Sequence, residues 1–539
     1  MPSKEEMIVL FSQFLSNYNY KAARSLLEDR KQPLWLALTH LIDMQQSRLA
    51  FDFKDAYAYW TEAKKQLSTD LSLDPSFLHA ETLFAALTDT RDTAKHELAL
   101  IVELFRQLEI YLEVEDTVSF LIRFYRAREA VLSYIAKHYG IERTRTGSIH
   151  ELFKRLEVSF ENEQATNYIG AYLFWKSKNV SDTMNIRNRS FIGHGRQGFS
   201  EAKVWEEYSG YAMQTVAVSK RRFIRDGSLM LRDLGVQRDD WFPQMNAFIL
   251  KVAAQAFEAN RALATTVQLV KGKSQMTAIC RELVLSGNYR SVKELYKPAL
   301  QSDLWRLLTL AENLHNCNVM AFRADMKVVM RVLEQFRSDP HELAFCQQML
   351  VLEEKEQRAF IYYLYSLAQL FDEREAMVDF IVVFFRLVEE LLLFAIGWDV
   401  DGQQKLRESR YRRPIMLNEG ERIATFAVFK RVLQGYVQRA IKQGRTSDLE
   451  MALCAELYDL IQSVEVANVL ELRHEGVSGH GFADLSRDHV LEISGGVEPL
   501  ERIRPLMEKF ELVPSYSIFR LVDEAILLLL SESEQGVVR

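Results

Sequence analysis

Two short segments of the sequence place an arginine seven positions before a histidine that has glycine on both sides. The first segment pairs Arg187 with His194, and the second pairs Arg473 with His480. Arginine is a permanent planar cation that suits phosphate oxygens, whereas histidine can give and take a proton near neutral pH. These four residues are therefore predicted to carry out phosphodiester chemistry.

RNA contains its own nucleophile, the 2′-hydroxyl group, so an enzyme that cuts it has to move protons and stabilise the charge that develops on the phosphate. A histidine that acts as general acid or base contributes about 10²- to 10⁴-fold. An arginine can hold two non-bridging oxygens with one fork. One Arg/His pair is sparse for two proton transfers, whereas two facing pairs suffice, and no metal ion or other cofactor is needed.

The residue after each arginine is polar, and we expect Asn188 and His474 to orient the site, although a plain structural role stays open for both. Arg189 is an alternative partner for the first histidine. The second segment has Glu475 at that position, which favours Arg187.

The two motifs lie in two copies of a larger unit, because other landmarks recur in the same order. The matching segments are residues 19–27 with 288–296, 34–39 with 304–309, 120–129 with 380–389, and 153–155 with 429–431. The offset drifts between about 260 and 286 positions, as expected when loops vary in length and helices are kept. This pattern indicates a gene duplication in which each half has one motif.

The composition predicts an all-α fold. Only 10 prolines and 22 glycines occur in 539 residues, and apolar residues recur at helical spacing along most of the chain. We expect a helical-hairpin region followed by a motif domain in each half, arranged as an intramolecular pseudo-dimer. The predicted boundaries are 1–105 and 106–235 in the first half and 244–355 and 356–539 in the second, with a linker within 221–243.

Several other classes of protein are disfavoured. The start of the sequence has no secretory pattern, and the most apolar segment, 380–398, contains Arg386, Glu389 and Glu390, which indicates a buried helix rather than a membrane span. The four cysteines are far apart and form no metal or redox motif. We therefore expect a cytoplasmic protein without a structural metal.

The net charge of −7 argues against a protein that coats nucleic acid, but local basic clusters remain. They are predicted to bind an RNA backbone, with one tyrosine as a stacking face for a base, while a solvated basic loop is the alternative. The residues concerned are Arg143 and Arg145 in the first half and Arg410, Tyr411, Arg412 and Arg413 in the second.

A helix with the pattern Phe-Phe/Tyr-Arg-x-x-Glu, followed by an arginine, a polar residue and a histidine seven positions after the arginine, resembles the HEPN superfamily of helical ribonucleases. The Asn-Tyr pairs at positions 19 and 288 resemble the helical plus HEPN part of the ancillary ribonucleases of type III CRISPR systems. The resemblance implies a metal-independent endoribonuclease that cleaves single-stranded RNA in prokaryotic antiviral defence or in a toxin-like role. Those enzymes usually begin with a Rossmann-like sensor of cyclic oligoadenylate. No strand-rich segment precedes the first helices of this chain, so activation by that ligand is not predicted.

Two alternatives remain open. The chain could be a non-catalytic helical-repeat module that binds RNA or a protein, with motif residues that only cap helices or pair with carboxylates. It could also be a ribonuclease subunit controlled by a separate sensor or activator protein. The trigger, the RNA sequence preference and the oligomeric state are not predicted.

Overall fold

Helices dominate the computed structural model of the chain. It describes residues 4–27, 32–141, 149–162, 167–193, 197–210, 215–257, 273–300, 302–354, 356–400, 406–408, 426–444, 449–475 and 485–534. These residues form 27 α-helices and one short antiparallel hairpin, so the predicted all-α fold class is confirmed.

The chain divides into two compact units. The first consists of Met1–Met184, Glu201–Pro298 and Leu530–Arg539, and the second of Asn185–Ser200 and Ala299–Leu529. Asn185–Ser200, which lies within the first half of the sequence, therefore belongs to the same unit as most of the second half. The division into four domains stays a prediction.

The first unit contains the helices up to α16, of which α11 begins in that unit and ends in the second. They are α1 Lys4–Ser16, α2 Tyr20–Ser25, α3 Pro33–Leu49, α4 Phe53–Gln66, α5 Thr69–Ser72, α6 Pro75–Thr88, α7 Thr93–Glu113, α8 Thr117–His138, α9 Ile149–Asn162, α10 Ile169–Lys176, α11 Lys178–Arg189, α12 Glu201–Ser209, α13 Val216–Asp233, α14 Trp241–Ala256, α15 Lys273–Leu285 and α16 Tyr289–Tyr296.

The second unit contains the remaining elements, and α27 ends in the first unit. They are α17 Asp303–His315, α18 Phe322–Phe336, α19 Pro340–Met349, a short 3-10 helix Leu350–Leu352, α20 Gln357–Glu373, α21 Met377–Ile396, β1 Trp398–Val400, β2 Leu406–Glu408, α22 Phe426–Lys442, α23 Leu449–Gln462, α24 Val464–Glu475, α25 Arg487–Ile493, α26 Pro499–Lys509 and α27 Ile518–Glu534.

Short polar side chains start several helices of the first unit. The side chains of Asn19, Asp52, Asp92 and Asp116 each accept a hydrogen bond of 2.9–3.2 Å from a backbone N–H in the first turn of the helix that follows. These N–H groups have no partner within the helix, so each cap stabilises it by about 1 kcal/mol. The caps explain where α2, α4, α7 and α8 begin.

Aromatic side chains form the core around α8 in the first unit. The Phe120 and Phe124 rings, one helical turn apart, are stacked with centroids 5.4 Å apart. Trp205 lies 5.3 Å from Phe120, and Trp175 lies 5.2 Å from Phe124. Phe223 on α13 meets both phenylalanines edge to face. This cluster holds α8, α10, α12 and α13 together.

The α20/α21 hairpin at the core of the second unit has the same local features as the α7/α8 hairpin. Phe380 and Phe384 are stacked at 5.7 Å, as Phe120 and Phe124 are in α8. The connecting loops each contain a glutamate in the left-handed region, Glu115 with φ 61° and Glu375 with φ 55°. Every residue of α21 is buried. The sequence match between 120–129 and 380–389 therefore corresponds to a match in local structure.

The linker expected within 221–243 is mostly helical. Helix α13 continues to Asp233, and α14 begins at Trp241, which leaves only a short connection. Gly227 lies inside the expected linker, but in α13 it lets the helix approach the Phe105 ring, which would lie 3.3 Å from an added Cβ. Across the described helices, none is long and apolar enough to cross a membrane.

Candidate functional site

The first motif arginine lies at the end of α11, two residues before the helix ends at Arg189. Val180, Thr183 and Met184 are at most 2% exposed, and Arg187 continues this face with 4% exposure. Spacings of three and four residues place all four side chains on one side of the helix. The Nη1 atom of Arg187 donates a hydrogen bond of 3.4 Å to Oδ1 of Asn188.

The second motif arginine lies at the corresponding place in α24, two residues before the helix ends at Glu475. Val466, Val469 and Leu470 form the same buried face, and Arg473 continues it with 8% exposure. Its guanidinium carbon lies 3.9 Å from the centroid of the Phe385 ring on α21. Both arginines therefore have the same register relative to their helix end.

The match between the two motif helices extends beyond the arginines. Ser177 and Ser463 precede the helices, and the Oγ of each accepts a hydrogen bond of 3.4 Å from the valine N–H three residues later. Gly210 and Gly496 follow α12 and α25 with φ angles of 68° and 74°. Each pair is 286 positions apart in the sequence. The local structure thus repeats with a constant offset around both motifs.

The segment after Arg187 packs on α20. Phe191 is 1% exposed, and its ring lies 4.8 Å from Phe360 and 5.5 Å from Tyr363. The Phe360 ring in turn lies 5.5 Å from the guanidinium of Arg386 on α21. Arg386 is next in sequence to Phe385, on whose ring the Arg473 guanidinium lies. The ends of both motif helices therefore lie against one helix pair of the second unit.

A buried ionic group lies on α21 at this place. Nη1 of Arg386 donates a hydrogen bond of 3.1 Å to Oε2 of Glu389, and Glu390 also pairs with this guanidinium. All three residues are at most 1% exposed. In α8, Arg126 and Glu129 are buried at the matching positions. The sequence motifs do not predict these charged residues as part of the site. The available signal is their position within a very apolar segment, because burying a charge carries a large desolvation cost.

Half of the predicted catalytic set and the predicted RNA-binding cluster lie outside the described residues. The described part of the chain includes Arg187, Arg473 and the half-buried Asn188; His474 is helical, and its side chain lies outside the described part. The predicted residues outside it are His194, His480, Arg143, Arg145, Arg410, Tyr411, Arg412 and Arg413. The structure thus brings the two motif arginines into one unit.

Comparisons with known proteins do not add a family. No protein-family model, curated protein or solved structure matches this chain. The HEPN resemblance therefore continues to depend on the motif residues and their helical setting. Within the described ranges, no group of three or more histidine, cysteine, aspartate or glutamate side chains could hold a metal ion.

The first unit also contains a cleft of about 330 Å³, which is large enough to hold a small ligand. Its lining includes Glu109, whose pKa is raised because burial outweighs the attraction of Arg238. Nε of Arg238 donates to Glu109 at 2.6 Å, and Arg106 pairs with Asp239. These charges neutralise one another, so we interpret the cleft as structural rather than as a site.

Proposed function

We propose that the protein is a metal-independent endoribonuclease of the HEPN type, which cleaves single-stranded RNA at a composite site formed by its two Arg/His motifs. One observation carries the proposal. Arg187 and Arg473 end two locally matching helices at the same register, and both belong to one compact unit. Two motifs that had only structural roles in separate halves would not need to belong to one unit.

The proposed pseudo-dimer is supported by a contact between equivalent elements in the first unit. Helix α1 packs against α15, its counterpart in the second half. Asn19 Nδ2 donates to the carbonyl oxygen of Ser286 at 3.0 Å, and Asn17 Nδ2 donates to Ser291 Oγ at 2.8 Å. Contact between an element and its own equivalent is what a two-fold relation produces. The two halves would then present their motifs to each other.

The proposed reaction needs only the RNA and the four motif residues. The 2′-hydroxyl oxygen attacks the adjacent phosphorus as one histidine takes its proton, and the bond to the 5′-oxygen breaks as the other histidine donates a proton to that oxygen. The products are a 2′,3′-cyclic phosphate and a free 5′-hydroxyl. Arg187 and Arg473 would stabilise the charge on the non-bridging oxygens, more strongly in a site from which water is largely excluded. Either histidine can be the acid.

The burial of the arginines favours one alternative, a non-catalytic module that binds RNA or protein. Arg473 is 8% exposed and stacks on Phe385, a contact that can serve the fold without any substrate. In the catalytic proposal the same contact fixes the direction of the guanidinium. The resemblance that suggests the enzyme also suggests a cytoplasmic role in antiviral defence, with control by a separate sensor or activator protein as part of the proposal.

The test is cleavage of an unstructured, end-labelled RNA by the purified chain in excess chelator. We expect products with 2′,3′-cyclic phosphate ends, and no cleavage of DNA with the same sequence, because DNA lacks the attacking hydroxyl. Arg187→Ala and Arg473→Ala should each lose about 10²-fold or more in rate. Arg189→Ala tests the alternative partner of the first histidine. It should keep most of the activity, since Arg189 is exposed and its counterpart is Glu475. Dependence on magnesium or equal cleavage of DNA would contradict the proposal, and RNA that is bound but left intact would favour the binding module.

A further inference from the structure

Gly193 lies where the chain crosses the end of the first motif helix. A Cβ atom at this position would be 2.2 Å from the carbonyl oxygen of Arg187 and 2.6 Å from that of Asn188. Both are backbone atoms of the helix, so a rotamer change cannot relieve the contact. Only glycine allows the backbone to pass this close.

Hydrogen bonds hold this crossing on both sides. Ser190 Oγ donates to the carbonyl oxygen of Arg187 at 2.7 Å, and the Gly193 N–H donates to the carbonyl oxygen of Ser190 at 3.0 Å. Further along, the Gln197 N–H donates to the carbonyl oxygen of Arg189 at 3.0 Å. The chain is therefore tied to the end of α11 both before and after residues 194–196. Since Gly193 directly precedes His194, this fixes the point from which the histidine departs relative to Arg187.

The second motif has the same residue at the same spacing. Gly479 follows Arg473 by six positions and directly precedes His480, as Gly193 follows Arg187 and precedes His194. The two arginines also share their register in α11 and α24. In both motifs, therefore, a glycine follows by six positions the arginine that lies near the end of the helix.

We propose that Gly193 is a positioning residue, which lets the backbone cross the end of α11 directly before His194. Gly479, which has the same place in the second motif sequence, is assigned the same role. The inference depends on the proposed ribonuclease function and adds to it a residue without a functional group. An added Cβ would have to move by about 1 Å to reach an ordinary separation from the Arg187 carbonyl oxygen. A displacement of about 1 Å in a catalytic group can cost about 10²-fold in rate.

The test compares alanine substitutions at three glycines, with kcat and KM for single-stranded RNA measured separately and stability measured by urea unfolding. Gly193→Ala and Gly479→Ala should each lower kcat by about 10²-fold and change KM by less than about 3-fold. The matched control is Gly435→Ala on α22, where the added Cβ would meet only the flexible end of Arg439 at 3.7 Å. That variant should keep full activity.

Ser190→Ala covers the case in which Gly193→Ala disturbs folding. It removes the 2.7 Å hydrogen bond to the Arg187 carbonyl oxygen without adding atoms, and should lower kcat by about 5- to 20-fold with KM unchanged. A wild-type chain that does not cleave RNA would overturn the proposed function itself. An active wild type with Gly193→Ala within about 3-fold of its kcat would overturn only the positioning role. If Gly193→Ala fails to fold, an unchanged kcat in Ser190→Ala would also overturn the positioning role.

Discussion

Replacing Phe385 by leucine removes the ring on which the Arg473 guanidinium lies. The two residues are 3% and 8% exposed, and the separation of 3.9 Å is within the range of a cation–π contact. Such a contact contributes about 2 kcal/mol when it is desolvated. The substitution also removes packing, because Phe385 lies 4.9 Å from Phe426. The packing loss and the contact must therefore be separated.

A double-mutant cycle separates them. Arg473→Met removes the charge and keeps a long unbranched side chain, and Phe385→Leu removes the ring. If the geometry is right, the double mutant should be less destabilised than the sum of the single mutants by about 1–2 kcal/mol. The control is Phe384→Leu, which deletes an equally buried ring that stacks on Phe380. Its coupling to Arg473→Met should be small.

The assay is urea unfolding of the wild type, three single mutants and two double mutants, read by tryptophan fluorescence. For a unit of about 250 residues, a contact of 2 kcal/mol corresponds to about 4 °C in Tm, so thermal melts give an independent reading. A coupling of less than about 0.3 kcal/mol between positions 385 and 473 would refute the stacking. A coupling equal to that of the Phe384 control would also refute it, and the fixed direction of Arg473 would lose its physical basis.

Two further predictions concern acid stability and RNA binding. Burial alone would raise the pKa of Asp239, but hydrogen bonds from Arg106 lower this pKa below its ordinary value. The ionised carboxylate therefore stabilises the fold above about pH 4, the ordinary pKa. This stabilisation is lost as the pH falls through the lower pKa of the folded state. Asp239→Asn should therefore lower the free energy of unfolding at pH 7 and flatten its decline between about pH 5 and pH 2, and urea titrations with an unchanged profile would contradict this. Alanine at Arg410, Arg412 and Arg413 together should weaken RNA binding and reduce the slope of log affinity against log salt by about 2, since each lost contact to a single strand accounts for about 0.7; an unchanged slope would show that this cluster does not meet the phosphates.

Part of the fold follows from composition and spacing. Scarce glycine and proline together with helical spacing predict the all-α class, which is confirmed. The sequence match of 120–129 with 380–389 identifies two hairpins whose stacked phenylalanines and left-handed glutamates are also alike. These features are local, so they can be recognised without knowing the tertiary contacts.

Other features depend on contacts between distant parts of the chain. Glycine is a poor helix former, but Gly227 lies within α13 and allows close packing against Phe105. The packing of Phe191 on Phe360 joins residues far apart in the sequence, and no spacing predicts it. In the candidate site, the motif predicts that Arg187 and Arg473 are equivalent, but it does not predict that each lies near the end of a helix. The buried Arg386 group was visible only as charges in an apolar run.

The central claim, that the two motifs form one site, is tested most directly by the RNA cleavage rates of His194→Ala, His480→Ala and the double mutant. Members of one catalytic unit are not additive. We expect each single mutant to lose most of the wild-type kcat, and the double mutant to be little worse than either. If each single mutant instead kept about half of the activity and only the double mutant were inactive, the motifs would be independent sites, and the composite site would be contradicted.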